Sequence, residues 1–341
     1  QQLQRLHFLK QQAENPDTSS AESIISIEEM IVVAETLFGE EAPIVGKLNC
    51  QLAGIRQTAG DMDGASSNYH AGIDILREKY CPIHPEIVAA QSALANCYLE
   101  MGEFRTAIAN LKASTSMAAQ LFGEESLQYA RQANQLGVAY YRGGDLDTAE
   151  QILKGAEAIR RQSLGEEHLL VGHSLLNVGI VMLDQRDYSS AVHCLERAES
   201  IFAGSTETSS ELLFKSRNKL ATVYMLIQQP DLAEPLLTLL IESRKAEFGD
   251  DHPDVAMFEF RYGIALARQG KYELAEPAFV HALEVQEEQL GLNNRETIKT
   301  IQAYAMLLAR TGREDEAKAQ AERIIRVASR PEGADSTIRK P

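Results

Sequence analysis

Apolar residues recur at helical spacing along this chain, in paired segments separated by short polar or glycine-bearing breaks. The clearest pair is FGDDHPDVAMFEFRYGIALARQGKYELAEPAF, Phe248 to Phe279. Gly249 marks a turn and Pro253 is placed to open a helix. The apolar pattern then runs to Ala267, Gly270 marks a second turn, and another helix starts at Tyr272. The unit recurs at a spacing of 42 residues, which predicts a stack of helical hairpins.

Four columns carry the repeat. Ala65, Ala107, Ala149, Ala191, Ala233, Ala275 and Ala317 are all Ala. Ala53, Ala95, Gly137, Gly179, Ala221, Gly263 and Ala305 are all small. The turn column is Gly60, Gly102, Gly144, Arg186, Gln228, Gly270 and Gly312, and the loop column is Gly39, Cys81, Gly123, Gly165, Glu207, Gly249 and Gly291. Small residues are needed where two helices cross at about 8–10 Å. A larger side chain there overpacks, at about 1–3 kcal/mol. Large apolar residues such as Leu136 and Tyr262 precede the small column, and Tyr69, Leu111, Leu153, Leu195, Leu237 and Phe279 follow the Ala column by one helical turn.

This pattern resembles the tetratricopeptide repeat. Gly137, Tyr140, Ala149 and Leu153 stand in the order of the family pattern, as do Ala221, Tyr224, Ala233 and Leu237. The family's first-helix Trp is missing, and the usual 34-residue period is stretched to 42. LFGEE at 37–41 and 121–125, LGEEH at 164–168 and FGDDHPDVA at 248–256 are similar to the kinesin light chain variant. The resemblance implies an all-α, right-handed superhelical solenoid of about eight hairpins whose function is binding. Residues 1–36 read as a degenerate N-terminal capping repeat, with Ser23 in the Ala register; an alternative is that its apolar helix packs on an upstream segment. Seven 42-residue repeats span 37–328, and 329–341 reads as a disordered tail. The last helix, about Glu314–Ala328, should pack through Ala317, Ala321, Ile324, Ile325 and Val327. Pro230 and Pro235 predict an irregularity in the repeat at 205–246.

Composition narrows the function. The net charge of −16 argues against nucleic acid as a partner. No apolar run approaches the length of a membrane span, and no signal-peptide pattern opens the chain. Cys50, Cys81, Cys97 and Cys194 form no CxxC pair, and three lie in helical patterns, which predicts free thiols in an intracellular, reducing compartment, the cytoplasm. A start at Gln1 instead of Met predicts a fragment or a processed form.

No nucleotide, zinc-protease or hydrolase motif is present, so no enzyme and no cofactor is expected. His84, His168 and His252 share one phase, but successive copies lie about 16–20 Å apart, too far to share a metal. They read as loop residues. The glutamate pairs at 28–29, 40–41, 124–125 and 166–167 read as helix-end residues, not catalytic carboxylates.

Binding residues are expected on the first helix of each hairpin, which lines the concave side of such a stack. Six positions before the small column stand Lys47, Ala89, Arg131, His173, Lys215, Met257 and Lys299. Four of the seven are Lys or Arg, where a composition of 33 such residues in 341 would give about 0.7. That row could grip carboxylates. Asn96, Tyr141, Arg142 and Arg268 extend the stripe, with Arg310 in the same phase as Arg142 and Arg268. By resemblance to kinesin light chain-like grooves, Asn134, Asn177 and Asn218 are candidate contacts to the backbone of an extended peptide. The expected partner is another protein or a peptide. A sensor module of a larger signalling protein and a subunit of a larger complex remain as alternatives.

Overall fold

The structure is a computed structural model that describes residues 2–13, 19–206 and 210–328, with side chains to Ile324. Sixteen α-helices and no strand are found among the described residues. First helices of the repeats are α3 (Pro43–Thr58), α5 (Pro85–Glu100), α7 (Leu127–Arg142), α9 (Leu169–Asp184), α11 (Ser210–Leu226), α13 (Pro253–Arg268) and α15 (Arg295–Arg310). Second helices are α4 (Met62–Lys79), α6 (Phe104–Phe122), α8 (Leu146–Leu164), α10 (Tyr188–Ala203), α12 (Pro230–Phe248), α14 (Tyr272–Gln289) and α16 (Glu314–Ala328). They are preceded by α1 (Gln2–Ala13) and α2 (Ser20–Phe38). The helices form two compact units, α1–α9 and α10–α16, dividing after Arg186.

Within each unit, consecutive helices pack in antiparallel pairs. First helices of successive hairpins also touch, α3 with α5, α5 with α7, α7 with α9 and α13 with α15, whereas second helices are not paired in this way. First helices therefore form the inner face of each stack.

The small columns sit where the helices of a hairpin come closest. Of the seven alanines in the column, the six from Ala65 to Ala275 are fully buried and Ala317 is 9 % exposed. A Cβ on Gly137 would meet Leu153 Cγ at 2.6 Å, and one on Gly263 would meet the Phe279 ring at 2.8 Å. Gly263 thus faces one of the largest fully buried side chains. At the α3–α4 crossing the close approach extends to Gly46 and Gly72, where a Cβ on Gly72 would lie 2.6 Å from the Gly46 carbonyl oxygen.

The turn column adopts left-handed backbone throughout, including its two non-glycine members, Arg186 at φ 66° and Gln228 at φ 59°. The left-handed region costs an L-residue about 1–2 kcal/mol, so repeat geometry overrides residue preference there. Cys81 departs from the loop column: α4 ends at Tyr80 with φ −104°. Glu207 lies outside the described residues.

Helix starts are fixed by a capping column in step with the repeat. His84, His168 and His252 are N-caps whose Nδ1 accepts from the backbone N–H of Glu86, Leu170 and Asp254 at 3.2, 3.1 and 3.2 Å. Ser126 and Asn294 do the same one period away. The imidazoles of His84 and His252 also stack on Tyr80 and Phe248, at 4.1 and 4.4 Å between ring centroids.

Some expectations are corrected. Glu28 and Glu29 lie mid-helix in α2, not near its end, and pair with Arg56 of α3 and Arg5 of α1. Ala321 is exposed instead of packed, while Ile324 is half-buried. The α12 helix runs through Pro235 unbroken from Pro230, because Pro230 sits at its first position and Pro235 is close behind. Residues 329–341, expected to be a tail, and most of the expected 15–20 turn lie outside the described residues.

Two stability measurements check this packing. Gly263→Ala should lower the denaturation midpoint by the equivalent of about 1–3 kcal/mol, and adding Phe279→Leu should recover part of the loss. Gln228→Gly should raise it by about 0.5–1 kcal/mol, since left-handed backbone suits glycine.

Candidate functional site: the inner face of the first helices

The inner face is stitched by polar side chains one period plus one residue apart. Three positions before a small residue, a side chain meets the one two positions before the next. Ser92 donates to Gln135, and Asn177 Nδ2 donates to Asn134 Oδ1 at 3.2 Å. Arg261 Nη1 donates to Asn218 Oδ1 at 2.5 Å. Two turns further on a second tier repeats the step. Tyr141 Oη donates to Asp184 at 2.7 Å, and Arg268 Nη1 donates to the Met225 carbonyl at 2.8 Å. A separation of 43 residues recurs because adjacent first helices are offset by one residue along their axes.

These rungs place the three asparagines. Asn134 is 5 % exposed, and Asn134, Asn177 and Asn218 each spend at least one polar atom on the neighbouring repeat. Asn177, off the stripe by spacing alone, is the partner of Asn134. Sequence reasoning missed Arg261 and Gln135, whose signal was polar side chains two positions before the small column. Arg261 has no carboxylate partner among the described residues: it donates to Asn218 and to Thr222 Oγ1 at 2.8 Å and stands 5.5 Å from the centroid of Phe258. Burial pushes its guanidinium down to about 10. Burial and the hydrogen bond to Asp184 push the Tyr141 hydroxyl up to about 12.

The basic row divides into paired and open members. Lys47 pairs with Glu86 of α5 at 2.6 Å, which, with Tyr80, holds its ammonium above the usual lysine range. Lys299 pairs with Glu296 of its own helix at 2.7 Å. Arg131 and Lys215 are exposed and carry no ion pair among the described residues. Arg131 also lies close enough to Arg160 to lower its affinity for the proton, after the larger effect of burial. Arg160, 4 % exposed, donates to Ser174 Oγ at 2.7 Å and the Leu170 carbonyl at 3.2 Å, again with no carboxylate partner among the described residues. In unit one the inner face thus presents Arg131, with Arg160 of α8 buried near it. His173 and Asn96 are half-buried on α9 and α5. Arg142 is exposed, 5.9 Å from the Phe104 ring centroid. In unit two Lys215, Arg268 and Arg310 are exposed.

No group of three or more His, Cys, Asp or Glu that could hold a metal occurs among the described residues, and no helix there is long and apolar enough to cross a membrane. Cys50 and Cys194 are half-buried, Cys97 is buried and Cys81 is exposed, and no disulfide joins them.

Stacked hairpins with small-residue crossings and left-handed turns define an α-helical repeat protein. Two family models described as tetratricopeptide repeat match it, one over residues 128–203, 212–279 and 255–330, the other over 92–163. The chain belongs to the tetratricopeptide repeat family, whose members commonly mediate protein–protein interactions. It is similar in fold to BtubC (BKLC) from P. vanneervenii, at 23 % identity and TM-score 0.60 over 68 % of this chain and 94 % of that one. It is also similar to a kinesin light chain-type protein of nearly identical TPR-like repeats from Podosopora anserina, at 21 % identity and TM-score 0.53, covering 60 % and 97 % of the two chains. The apo form of RapI matches at 18 % identity and TM-score 0.56, covering 83 % and 97 %. No curated protein matches the chain.

The rungs can be tested by breaking one. Asn218→Leu leaves the half-buried Arg261 guanidinium short of an acceptor and should cost about 1–3 kcal/mol in thermal or denaturant unfolding. Adding Arg261→Met should restore much of that loss, because an apolar pair needs no partner.

Proposed function

We propose that the chain is a non-enzymatic scaffold that holds an extended, carboxylate-bearing segment of a partner protein along the inner faces of its first helices. One observation carries this reading. In a chain of net charge −16, Arg131 and Lys215 stand exposed on those faces with no carboxylate paired to them among the described residues. Several surface cations elsewhere in the molecule are matched, as Lys79 is with Glu41 and Lys271 with Glu234. Unmatched cations on a recessed face attract carboxylates.

The same reading takes 1–36 as an N-terminal cap and 37–328 as the seven repeats that present the face. Asn96, Tyr141, Arg142, His173 and the Asn134–Asn177 rung border the inner face of unit one, and Arg268 and Asn218 that of unit two, with Lys47 and Lys299 available once their own carboxylates are exchanged. Four cysteines not joined in disulfides fit a reducing, cytoplasmic setting. A second reading, subunit of a larger assembly, draws on the exposed apolar side chains of α1 and α2, among them Phe8, Ile25 and Val32 at 57, 57 and 61 % exposure.

Glutamate-rich peptides should bind the whole chain with an affinity that falls as salt rises. Arg131→Glu and Lys215→Glu should each weaken binding about three- to tenfold, more when combined, without changing the circular dichroism spectrum. Unchanged affinity in the double variant would sink the carboxylate reading.

A further inference from the structure

The rungs do not occur at every seam. Between α13 and α15 the first-tier pair is Phe260 and Ala303 and the second-tier pair is Ala267 and Arg310, and neither makes a side-chain hydrogen bond among the described residues. An open cleft of about 230 Å³ lies at that seam. Ala267, Ala303 and Leu307 line it and Phe279 of α14 backs it, with Met306, 62 % exposed, at its edge. The same rule holds at the α3–α5 seam, where the first-tier pair is Cys50 and Ala93 and a second cleft opens. At the bonded seams a Gln, Asn or Arg fills the place that Ala93 and Ala303 leave empty.

The two clefts differ in charge. At the α3–α5 cleft Lys47 is neutralised by Glu86. At the α13–α15 cleft the lining holds two guanidinium groups, Arg268 and Arg310, and no carboxylate. Arg268 spends one nitrogen on the Met225 carbonyl and keeps its other donors. The volume falls below the roughly 300 Å³ at which drug-sized ligand sites begin, and suits one large side chain.

We infer that the α13–α15 cleft is a specificity pocket that takes a single large apolar side chain of the partner segment, with a carboxylate next to it held by Arg268 and Arg310. The pocket rests on the scaffold reading above and adds the position that reads sequence. Burying the apolar side chain against Ile264 and Met306 supplies affinity. The two arginines select acidic neighbours over basic ones, since like charges at such a rim are penalised.

An array of blocked peptides tests this, each bearing one Leu, Met or Phe flanked by Glu, Ser or Lys and titrated against the whole chain by fluorescence anisotropy. Glu-flanked peptides should bind at least about tenfold tighter than Lys-flanked ones. Ala303→Gln, which fills the cleft, and Met306→Glu, an exposed change that leaves folding intact, should each weaken the Glu-flanked peptides about tenfold. Arg268→Ala with Arg310→Ala should abolish the preference for Glu over Lys. Glu-flanked peptides that bind wild type, Ala303→Gln and Met306→Glu equally would overturn the pocket while leaving the scaffold reading in place. Absence of binding by every peptide to wild type would overturn both.

Discussion

Everything in this molecule depends on how closely two helices of a hairpin can approach. The contact is backbone against side chain, with no room for a second Cβ: Gly137 lies beneath Leu153, and Gly263 beneath Phe279. Such proximity excludes voids and lets one large knob per hairpin bury completely, as Leu111, Leu153, Leu237 and Phe279 do. A repeat protein has no central core to compensate for a poor crossing, because each hairpin leans only on its neighbours. The uniform alanine column follows from that constraint.

Fixed crossings produce a fixed period, and the period organises the inner face. Within each unit helix starts recur every 42 or 43 residues, so the same positions of consecutive first helices meet, offset by one residue. Polar residues there become rungs and alanines become openings. Cohesion and recognition are thus drawn from the same two columns: a glutamine or asparagine seals a seam, and an alanine leaves a recess. In unit two the open seam is the one rimmed by Arg268 and Arg310.

Most of the fold was legible in the sequence because its cause is local and periodic. The alanine column, the turn glycines and the start of α13 at Pro253 all lie where spacing puts them. Even Arg186 and Gln228 adopt the backbone of the glycines they replace. The function of His84, His168 and His252 was half legible: their phase was evident, but accepting a backbone N–H two residues ahead is a matter of geometry. The candidate site was the least legible part. Spacing marks which residues share a helix face, yet it carries no information on pairing across a seam, so Asn134, Asn177 and Asn218 read as ligand contacts before their bonds to neighbouring repeats could be seen. Lys47 and Arg131 occupy one column and differ only in that Glu86 stands beside the first.

The central claim is that small residues at the crossings hold each stack together through nearest neighbours. Amide hydrogen exchange on Ala149→Leu tests it most directly, since Ala149 is fully buried between α7 and α8. The account predicts that protection falls in α7, α8 and the adjoining α6 and α9, while α3 and α13 keep theirs. Unchanged protection in α7 and α8 would contradict it, because a leucine would then fit where no space for one exists.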